Sequence, residues 1–395
     1  MSNASFEPPR RVLMGPGPSD VHQRVLDAMA RPTIGHLDPA FVQLMDDIKD
    51  LLRYVFRTRN DLTMPVSGPG TAGMESCVVN LVERGERVII CQNGVFGGRL
   101  ADMARRAGAD VVVVEDEWGR AVSPEKLEAT LAANPDVRLV GFVQAETSTG
   151  ALSDAETLAR VAHEHGALAL VDTVTALGGV PVEVDGWGLD VVYSGTQKCL
   201  SAPPGLSPIT LNDEAAARVR DRETPVQSWF MDLNLVMAYW GGGKRSYHHT
   251  APVNALYGLH EALLMVKEEG IENAWARHRR NHEALRAGLE ILGMRFIVPE
   301  GERLPELNAV SVPEGVDEAK VRARLLDEYG LEIGAGLGAL AGRIWRIGLM
   351  GYASRPENVM LCVRALGSVL ADEGVAVDVD GAAQAAESAL AASTA

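Results

Sequence analysis

The amino-acid sequence predicts an α/β fold whose central sheet is mainly parallel. From about residue 61 onward, short apolar segments alternate with longer segments in which apolar residues recur at helical spacing. Several short segments run directly into glycine-containing or polar loops, as strands do at the ligand-binding edge of such sheets. After residue 252 this alternation gives way to long helical patterns and fewer strands, which indicates a second, smaller α+β unit.

The elements of the first unit follow one another in regular order. Ser123 followed by proline is typical of a helix N-terminus, because proline fits the first helical turn. Helices are expected at residues 71–84, 99–107, 123–133 and 155–165. Strands are expected at residues 62–66, 87–91, 110–114, 138–144, 167–172, 190–194 and 207–211.

The second unit starts with long helical patterns from residue 254 to about residue 292, with a break near Gly270. The alanine-rich tail beyond residue 378 predicts a short terminal helix or a frayed end. The remaining elements are expected as strands at residues 309–312, 331–334 and 343–347 and as helices at residues 318–329 and 356–373.

Charge and composition argue against several classes of partner. The 37 basic and 53 acidic residues give a net charge of −16, whereas nucleic acids and anionic membranes attract basic surfaces. No segment reaches transmembrane length, and the N-terminus lacks the apolar core of a signal peptide. The 4 cysteines are far apart and show no metal-ligand spacing. We therefore expect a cytoplasmic protein that acts on small molecules.

One carboxylate and one amine follow two neighbouring strands of the predicted sheet. Asp172 ends the apolar segment 167–172, and the letters YSGTQK at 193–198 bring Lys198 to the end of the next strand. Pyridoxal phosphate needs such a pair, because a lysine forms the Schiff base and an acid keeps the pyridine nitrogen protonated. Such a lysine also acts as a general base, which requires a pKa well below about 10.4. The alternative is a purely structural ion pair.

Three other strand-end loops offer groups for the same edge of the sheet. The letters SGPGT at 67–71 allow a close backbone approach to a phosphate, or form a plain tight turn into a helix. Phe96 fits either stacking on an aromatic ring or packing in the core. Ser148 fits either a hydrogen bond to a ring oxygen or substrate, or a local turn.

Two polar segments lie in the second half of the chain. Arg346 faces away from Arg343 and Trp345 on an apolar strand, which suggests bidentate binding of a carboxylate, with a salt bridge as the alternative. The letters YHHT at 247–250 contain paired histidines, but no carboxylate or cysteine accompanies them at metal-ligand spacing. A polar loop is therefore favoured there.

These segments together resemble the class V, fold type I pyridoxal-phosphate aminotransferases, close to the alanine:glyoxylate and serine:glyoxylate enzymes. The resemblance runs from MGPGPS at 14–19 to RIGLMG at 346–351 and is most specific in SGTQK, APPG at 202–205 and YHHT. It implies a large cofactor-binding domain over residues 21–254 and a small domain over residues 255–395. Residues 1–20 would pack with the small domain and the active site.

The resemblance implies a role in cofactor binding for several residues. Lys198 would form the Schiff base with pyridoxal 5'-phosphate, and Asp172 would pair with the ring nitrogen. Val174 and Phe96 would cover the two faces of the ring; relatives often carry tryptophan at the second position. The groups expected to hold the phosphate within the same subunit are Gly70, Thr71 (often histidine in relatives) and Gln197.

The resemblance also implies a homodimer with shared active sites, because Tyr247 and Thr250 would reach the phosphate bound in the neighbouring subunit. Ser148 would contact the cofactor hydroxyl or the substrate. Arg346 would clamp the substrate carboxylate, and Gly15 would line the same pocket. The implied reaction is a ping-pong transfer of the amino group from alanine or serine to glyoxylate.

Other members of the same fold class provide alternatives. The letters IGHLDPAF at 34–41 also resemble the ureidoglycine:glyoxylate aminotransferases, in which amide side chains are expected around the donor's ureido group. His36 and Tyr247 occupy those positions in the substrate pocket here, which favours the ordinary donors. A desulfurase or related lyase would usually carry histidine where Gln197 stands, and a pyridoxal-binding regulator would need an added DNA-binding segment.

Overall fold

The structure is a computed structural model that describes residues 5–241 and 245–392. Of the predicted N-terminal segment 1–20, residues 1–4 therefore lie outside the described part. The described residues contain fourteen strands: β1 Val12–Leu13, β2 Leu62–Ser67, β3 Arg87–Gln92, β4 Asp110–Glu115, β5 Leu139–Val143, β6 Ala145–Glu146, β7 Ala151–Leu152, β8 Leu168–Asp172, β9 Val191–Tyr193, β10 Leu206–Leu211, β11 Leu307–Ser311, β12 Leu331–Glu332, β13 Gly334–Ala335 and β14 Ile344–Gly348.

The same residues contain fourteen α-helices and three short 3-10 helices. The α-helices are α1 Gln23–Met29, α2 Pro39–Phe56, α3 Gly70–Leu81, α4 Val95–Ala107, α5 Pro124–Ala133, α6 Ala155–Glu164, α7 Val184–Trp187, α8 Asp213–Arg220, α9 Leu233–Trp240, α10 Val253–Glu269, α11 Ile271–Ile291, α12 Glu318–Tyr329, α13 Pro356–Asp372 and α14 Val379–Ala392. The 3-10 helices are Glu300–Glu302, Gly338–Leu340 and Gly351–Ala353. No helix in these ranges combines the length and the apolar run that crossing a bilayer would require.

The central sheet has seven strands in the order β2-β10-β9-β8-β5-β3-β4. Only β10 runs against its neighbours, so the sheet is mainly parallel, and the predicted α/β fold is confirmed. Strands β5, β8, β9 and β10 are buried along their whole length, which is typical of a sheet covered on both faces. The register pairs Asp172 with Tyr193, so the ends of β8 and β9 lie side by side.

Helix α4 begins at Val95, four residues before the predicted start. The backbone N–H groups of Phe96 and Gly97 donate to the Glu146 carboxylate, over 3.1 and 3.3 Å. Gly94 precedes the helix and has no side chain to supply a cap. A carboxylate from a distant part of the chain therefore satisfies the free N–H groups of this helix end, which no local sequence signal reveals.

A second hydrophobic core lies in the C-terminal part of the chain and contains the fully buried Trp345. Strands β11, β14 and β13 form an antiparallel sheet there. The single strand predicted at residues 331–334 is wrong, because β12 pairs in parallel with the N-terminal β1 whereas β13 pairs with β14. The alanine-rich tail forms α14, whose Ala382 and Ala386 are buried in the second core, where α11 and α13 contact the helix. The division at residue 254 stays a prediction; it falls within α10, which buries Leu256 in the first core.

Candidate active site

A cavity of about 230 Å³ lies at the carboxyl ends of the parallel strands. Seven residues singled out from the sequence line it: Gly70, Thr71, Phe96, Asp172, Val174, Gln197 and Lys198. A larger cavity of about 490 Å³ lies behind residues 199–201 and is lined by none of the predicted site residues. The convergence of the strand ends, rather than cavity size, therefore identifies the candidate site.

Asp172 is a buried carboxylate at the end of β8, with 2% of its surface exposed. One oxygen accepts a hydrogen bond from the Val174 N–H over 2.8 Å, and the other accepts from the Tyr193 hydroxyl over 2.7 Å. Burial raises the pKa of Asp172 to about 6, although both donors favour the charged form. The carboxylate is therefore held in a fixed orientation and lacks a full countercharge.

Lys198 is 7% exposed and lines the same cavity. Burial, reinforced by the nearby Arg346 guanidinium, lowers the pKa of its amine to about 8. Its Nζ donates to the carbonyl oxygen of Pro16. Ser19 fixes the lysine backbone, since its hydroxyl donates to the Lys198 carbonyl over 2.7 Å and its N–H donates to the Gln197 carbonyl over 2.9 Å. The N-terminal segment is thus part of the site.

Ser148 and Glu146 form one hydrogen-bonded unit beside the cavity. The Ser148 hydroxyl donates to Glu146 over 2.5 Å and accepts from the Val95 N–H over 3.0 Å. Glu146 is fully buried, and burial raises its pKa despite four N–H and O–H donors. The Ser148 hydroxyl already donates its proton in the hydrogen bond to Glu146 and accepts from Val95. It therefore has one lone pair left and can only accept a further hydrogen bond.

Arg346 is buried in β14 with 6% of its surface exposed. Its Nε donates to the Ala335 carbonyl over 2.7 Å and its Nη1 donates to the Thr147 carbonyl over 3.1 Å. No acidic side chain among the described residues forms an ion pair with it, so the salt-bridge alternative is wrong for this part of the chain. Burial lowers its pKa to about 10. The guanidinium remains available for an anion.

Three further residues lie in or near the site. A Cβ placed on Gly70 would lie 3.2 Å from Val174 and 3.5 Å from the Ser194 carbonyl oxygen, so the backbone passes close to the sheet there. The side-chain oxygen of Gln197 is buried without a hydrogen-bond partner among the described residues. Gly15 packs against Gly348, the last residue of the strand that carries Arg346.

The structure separates the other predicted residues from this group. Gly15, Ser148 and Arg346 are not among the residues that line the Lys198 cavity in the described chain, and neither are His36, Tyr247 and Thr250. The last three lie together, because the rings of His36 and Tyr247 are 5.3 Å apart and the Tyr247 hydroxyl is 3.3 Å from that of Thr250. The surface around them is aromatic and open, with Tyr247 59% and Trp229 61% exposed.

Sequence reasoning did not assign a role to Tyr193, Glu146 or Ser19. Tyr193 lies within YSGTQK, and its pairing with Asp172 follows from the parallel register of β8 and β9. Glu146 is the first residue of the predicted loop that contains Ser148. The absence of a basic residue nearby in the sequence is the one signal that its carboxylate would need N–H donors instead. Ser19 carries no comparable signal.

The family model for aminotransferase class-V matches residues 11–357. The fold is similar to the crystal structure of alanine–glyoxylate aminotransferase from Nostoc sp., with a TM-score of 0.91 and 48% identity, over 94% of this chain and 98% of that one. The sequence is similar to alanine–glyoxylate aminotransferase from Rattus norvegicus, with 40% identity over 92% of this chain and 88% of the rat protein.

A third similarity points to a related activity. The crystal structure of ureidoglycine–glyoxylate aminotransferase from Bacillus subtilis matches with a TM-score of 0.95 and 37% identity, over 98% of this chain and 99% of that one. All three similarities extend over nearly the whole length of both proteins. The family match and the similarity to the rat protein therefore show that the chain belongs to the class-V aminotransferase family.

Proposed function

We propose that this protein is a pyridoxal-phosphate-dependent transaminase that moves the amino group of alanine or serine to glyoxylate. The observation that carries the proposal is that a buried amine, Lys198, and a buried carboxylate, Asp172, line the same cavity at the strand ends. Similarity to proteins named alanine–glyoxylate aminotransferase supports glyoxylate as the acceptor and alanine as a donor.

The residues present fit the cofactor that the family implies. The uncompensated carboxylate of Asp172 suits a protonated pyridine nitrogen, and the unpartnered oxygen of Gln197 can accept a hydrogen bond from a bound group. Gly70 leaves the backbone open at the N-terminus of α3, where a phosphate would be stabilised by free N–H groups. When bound, pyridoxal phosphate supplies an electron sink that stabilises negative charge on the substrate carbon bearing the amino group.

The side chains of the site would perform the proton transfer, bind the substrate carboxylate and hold the cofactor. Lys198 takes and returns the proton of that substrate carbon, and an amine with a pKa of about 8 is suited to both steps near neutral pH. Arg346 binds the carboxylate shared by amino acid and oxo acid through the N–H groups that its contacts to Ala335 and Thr147 leave free. With the cofactor bound, Phe96 and Val174 would cover the two faces of its ring and Thr71 would contact its phosphate. Ser148 would accept a hydrogen bond from its hydroxyl.

We propose that the active form is a homodimer in which Tyr247 and Thr250 serve the site of the partner. The exposed aromatic surface around them supports this, because large exposed apolar patches mark interaction sites. His249 of the same loop is 2.7 Å from Ser67, so this surface borders the loop that leads to Gly70. We also propose a large unit over residues 21–254 and a small unit over residues 255–395, with residues 1–20 packing with the small unit and the active site, and a cytoplasmic location in keeping with four free buried cysteines.

Ureidoglycine is the second candidate donor, supported by the similarity to the Bacillus subtilis structure. The surface that would meet the donor's distal group carries the rings of His36 and Tyr247. An imidazole and a phenol offer fewer paired donors and acceptors for a ureido group than two amides do. The small donors are therefore preferred.

Half-reactions of the purified enzyme test the proposal. Excess alanine, serine or (S)-ureidoglycine is mixed separately with cofactor-loaded protein, and the absorption band of the bound cofactor is followed over time. Rapid loss of the band with alanine or serine, with its return on adding glyoxylate, is expected. Lys198→Ala should bind cofactor without turnover, and the exposed Lys267→Ala should behave as wild type. Fastest loss with ureidoglycine would reverse the donor assignment, and no cofactor binding by wild type would refute the function.

A further inference from the structure

Arg99 is a cation at the edge of the candidate site with no assigned role. It lies in the first turns of α4 and lines the cavity that contains Lys198. The described residues include no acidic side chain that forms an ion pair with it. Its nearest contacts are instead two residues of the cofactor end of the cavity, Thr71 and Phe96.

The contact with Thr71 determines where the threonine proton can go. Arg99 Nη1 donates to Thr71 Oγ1 over 3.1 Å. A hydroxyl that accepts a hydrogen bond keeps its own proton free for another acceptor. Arginine has no acceptor atom of its own, so the Thr71 proton must point to something else. Thr71 is in the first turn of α3, where an anion is also favoured by the helix end.

The contact with Phe96 fixes the position of the guanidinium. The Arg99 carbon Cζ lies 4.8 Å from the centre of the Phe96 ring. A guanidinium over an aromatic face is attracted by the ring, and this contact restricts an otherwise flexible side chain. Phe96 and Thr71 together hold the guanidinium at the edge of the cavity, which leaves N–H groups and a full positive charge there.

We propose that Arg99 is a positioning residue for the phosphate of the cofactor: it orients the Thr71 hydroxyl as a donor and adds a fixed positive charge beside it. This inference rests on the proposed function, since it needs a phosphorylated cofactor in the Lys198 cavity. It predicts that Arg99 distinguishes the phosphorylated from the unphosphorylated form of the same aldehyde. The aldehyde and the ring do not require it.

The test compares the binding of pyridoxal 5'-phosphate and of pyridoxal to cofactor-free dimers, measured by absorbance titration. In Arg99→Gln the Kd for pyridoxal 5'-phosphate should rise about tenfold, and the Kd for pyridoxal should change by less than about twofold. Arg105→Gln, on an exposed residue of the same helix outside the cavity, is the matched control and should change neither value. Thr71→Val should raise the Kd for pyridoxal 5'-phosphate about as much as Arg99→Gln does. In the double variant the rise in this Kd should be smaller than the product of the two single rises.

Two results would overturn the inference: an unchanged Kd for pyridoxal 5'-phosphate in Arg99→Gln, or an equal loss for both aldehydes. If that variant does not fold, Arg99→Lys decides. Lysine keeps the charge but loses the fork and the stacked plane, so a rise of about threefold for the phosphorylated form alone supports the role, and no change refutes it. Failure of wild type to bind either aldehyde would instead refute the proposed function.

Discussion

The Tyr193 hydroxyl donates a hydrogen bond to the Asp172 carboxylate over 2.7 Å, and this bond joins the ends of two neighbouring parallel strands. Both side chains are buried, and the bond together with the Val174 N–H gives each carboxylate oxygen one donor. The carboxylate that is proposed to meet the cofactor nitrogen is therefore aimed by the sheet itself. The loop that follows β8 adds the second donor through the Val174 N–H.

Tyr193→Phe removes one of the two donors and should raise the pKa of Asp172 further. We expect kcat to fall roughly tenfold, because a hydrogen bond to a charged group is worth about 1.5–3 kcal/mol and part of it is recovered by relaxation. The acid limb of the pH–rate profile should move to higher pH. Tyr257→Phe removes a hydroxyl that donates to the Pro32 carbonyl far from the cavity and is the matched control. An unchanged profile in Tyr193→Phe would contradict the role.

The burial of Asp172 should also appear in the stability of the cofactor-free protein. Its pKa is about 6 in the folded state and near 3.8 in the unfolded chain, so the folded state binds the extra proton between these values. The stability contributed by Asp172 is therefore full below about pH 4 and falls until about pH 6. Between pH 4 and pH 7 the free energy of unfolding of Asp172→Asn relative to wild type should therefore rise by roughly 2 kcal/mol.

Urea unfolding of both cofactor-free proteins at the two pH values measures this difference. Asparagine can still accept from the Val174 N–H and donate to the Tyr193 oxygen, so the variant is expected to fold. Asp221→Asn changes an exposed carboxyl and should show no such gain. A stability gap between wild type and Asp172→Asn that is the same at both pH values would contradict the prediction.

Arg346 lies in β14 and Arg343 immediately precedes that strand, so the same substitution can be compared at the two positions. Arg346→Lys keeps the charge but loses the planar fork, so the KM for the amino acid should rise by about 10- to 100-fold with a smaller effect on kcat. Arg343 is exposed, and Arg343→Lys should leave both constants unchanged. Steady-state kinetics with alanine and glyoxylate checks this. Equal effects of the two substitutions would remove Arg346 from the substrate site.

Ser148→Ala should cost stability even without cofactor. The substitution leaves the Val95 N–H without its acceptor and removes the shortest donor to Glu146, which together should lower the free energy of unfolding by about 2 kcal/mol. The exposed Ser246→Ala is the control. Thermal and urea unfolding of the cofactor-free protein report the effect. A Ser148→Ala variant as stable as wild type would show that the hydroxyl is not committed to Glu146.

The sequence predicted the central strands well because each is an apolar run bounded by turn residues. Seven of the thirteen predicted site residues line the Lys198 cavity, because parallel strands bring their carboxyl ends to one edge. The start of α4 was placed too late because Glu146, about fifty residues away, supplies the cap. The split at residues 331–334 was missed because the N-terminal strand Val12–Leu13 takes the first half as its partner.

Sequence-based prediction failed mainly for contacts between segments that are distant in the chain. The contacts of Ser19 and Pro16 with Lys198 are the most important of these. The contact of Pro16 with Lys198 joins the two ends of a 182-residue separation, and no periodicity or local motif encodes it. The same holds for the carbonyl partners of Arg346, which come from Thr147 and Ala335. The types of residue in the sequence predicted the chemistry of the site, whereas the hydrogen-bond partners of Lys198 and Arg346 could be identified only from the folded structure.

The separation of Tyr247 and Thr250 from the Lys198 cavity leads to a test with mixed dimers. Lys198→Ala and Tyr247→Phe/Thr250→Ala should each be nearly inactive alone. If Tyr247 and Thr250 serve the partner's site, a dimer of one chain of each kind contains one intact site, made of Lys198 from one chain and the two hydroxyls from the other. Random exchange makes about half of the dimers mixed, so about a quarter of the wild-type activity should return.

Two differently tagged chains, unfolded and refolded together and then purified through both tags, isolate the mixed dimer. Its activity should be about half that of wild type, because one of its two sites is whole. Mixing Lys198→Ala with Lys198→Ala under the other tag is the control and should restore nothing. If all three groups acted within one chain, every site of the mixed dimer would lack one of them. The absence of recovered activity in a dimer that assembles normally would therefore refute the shared site.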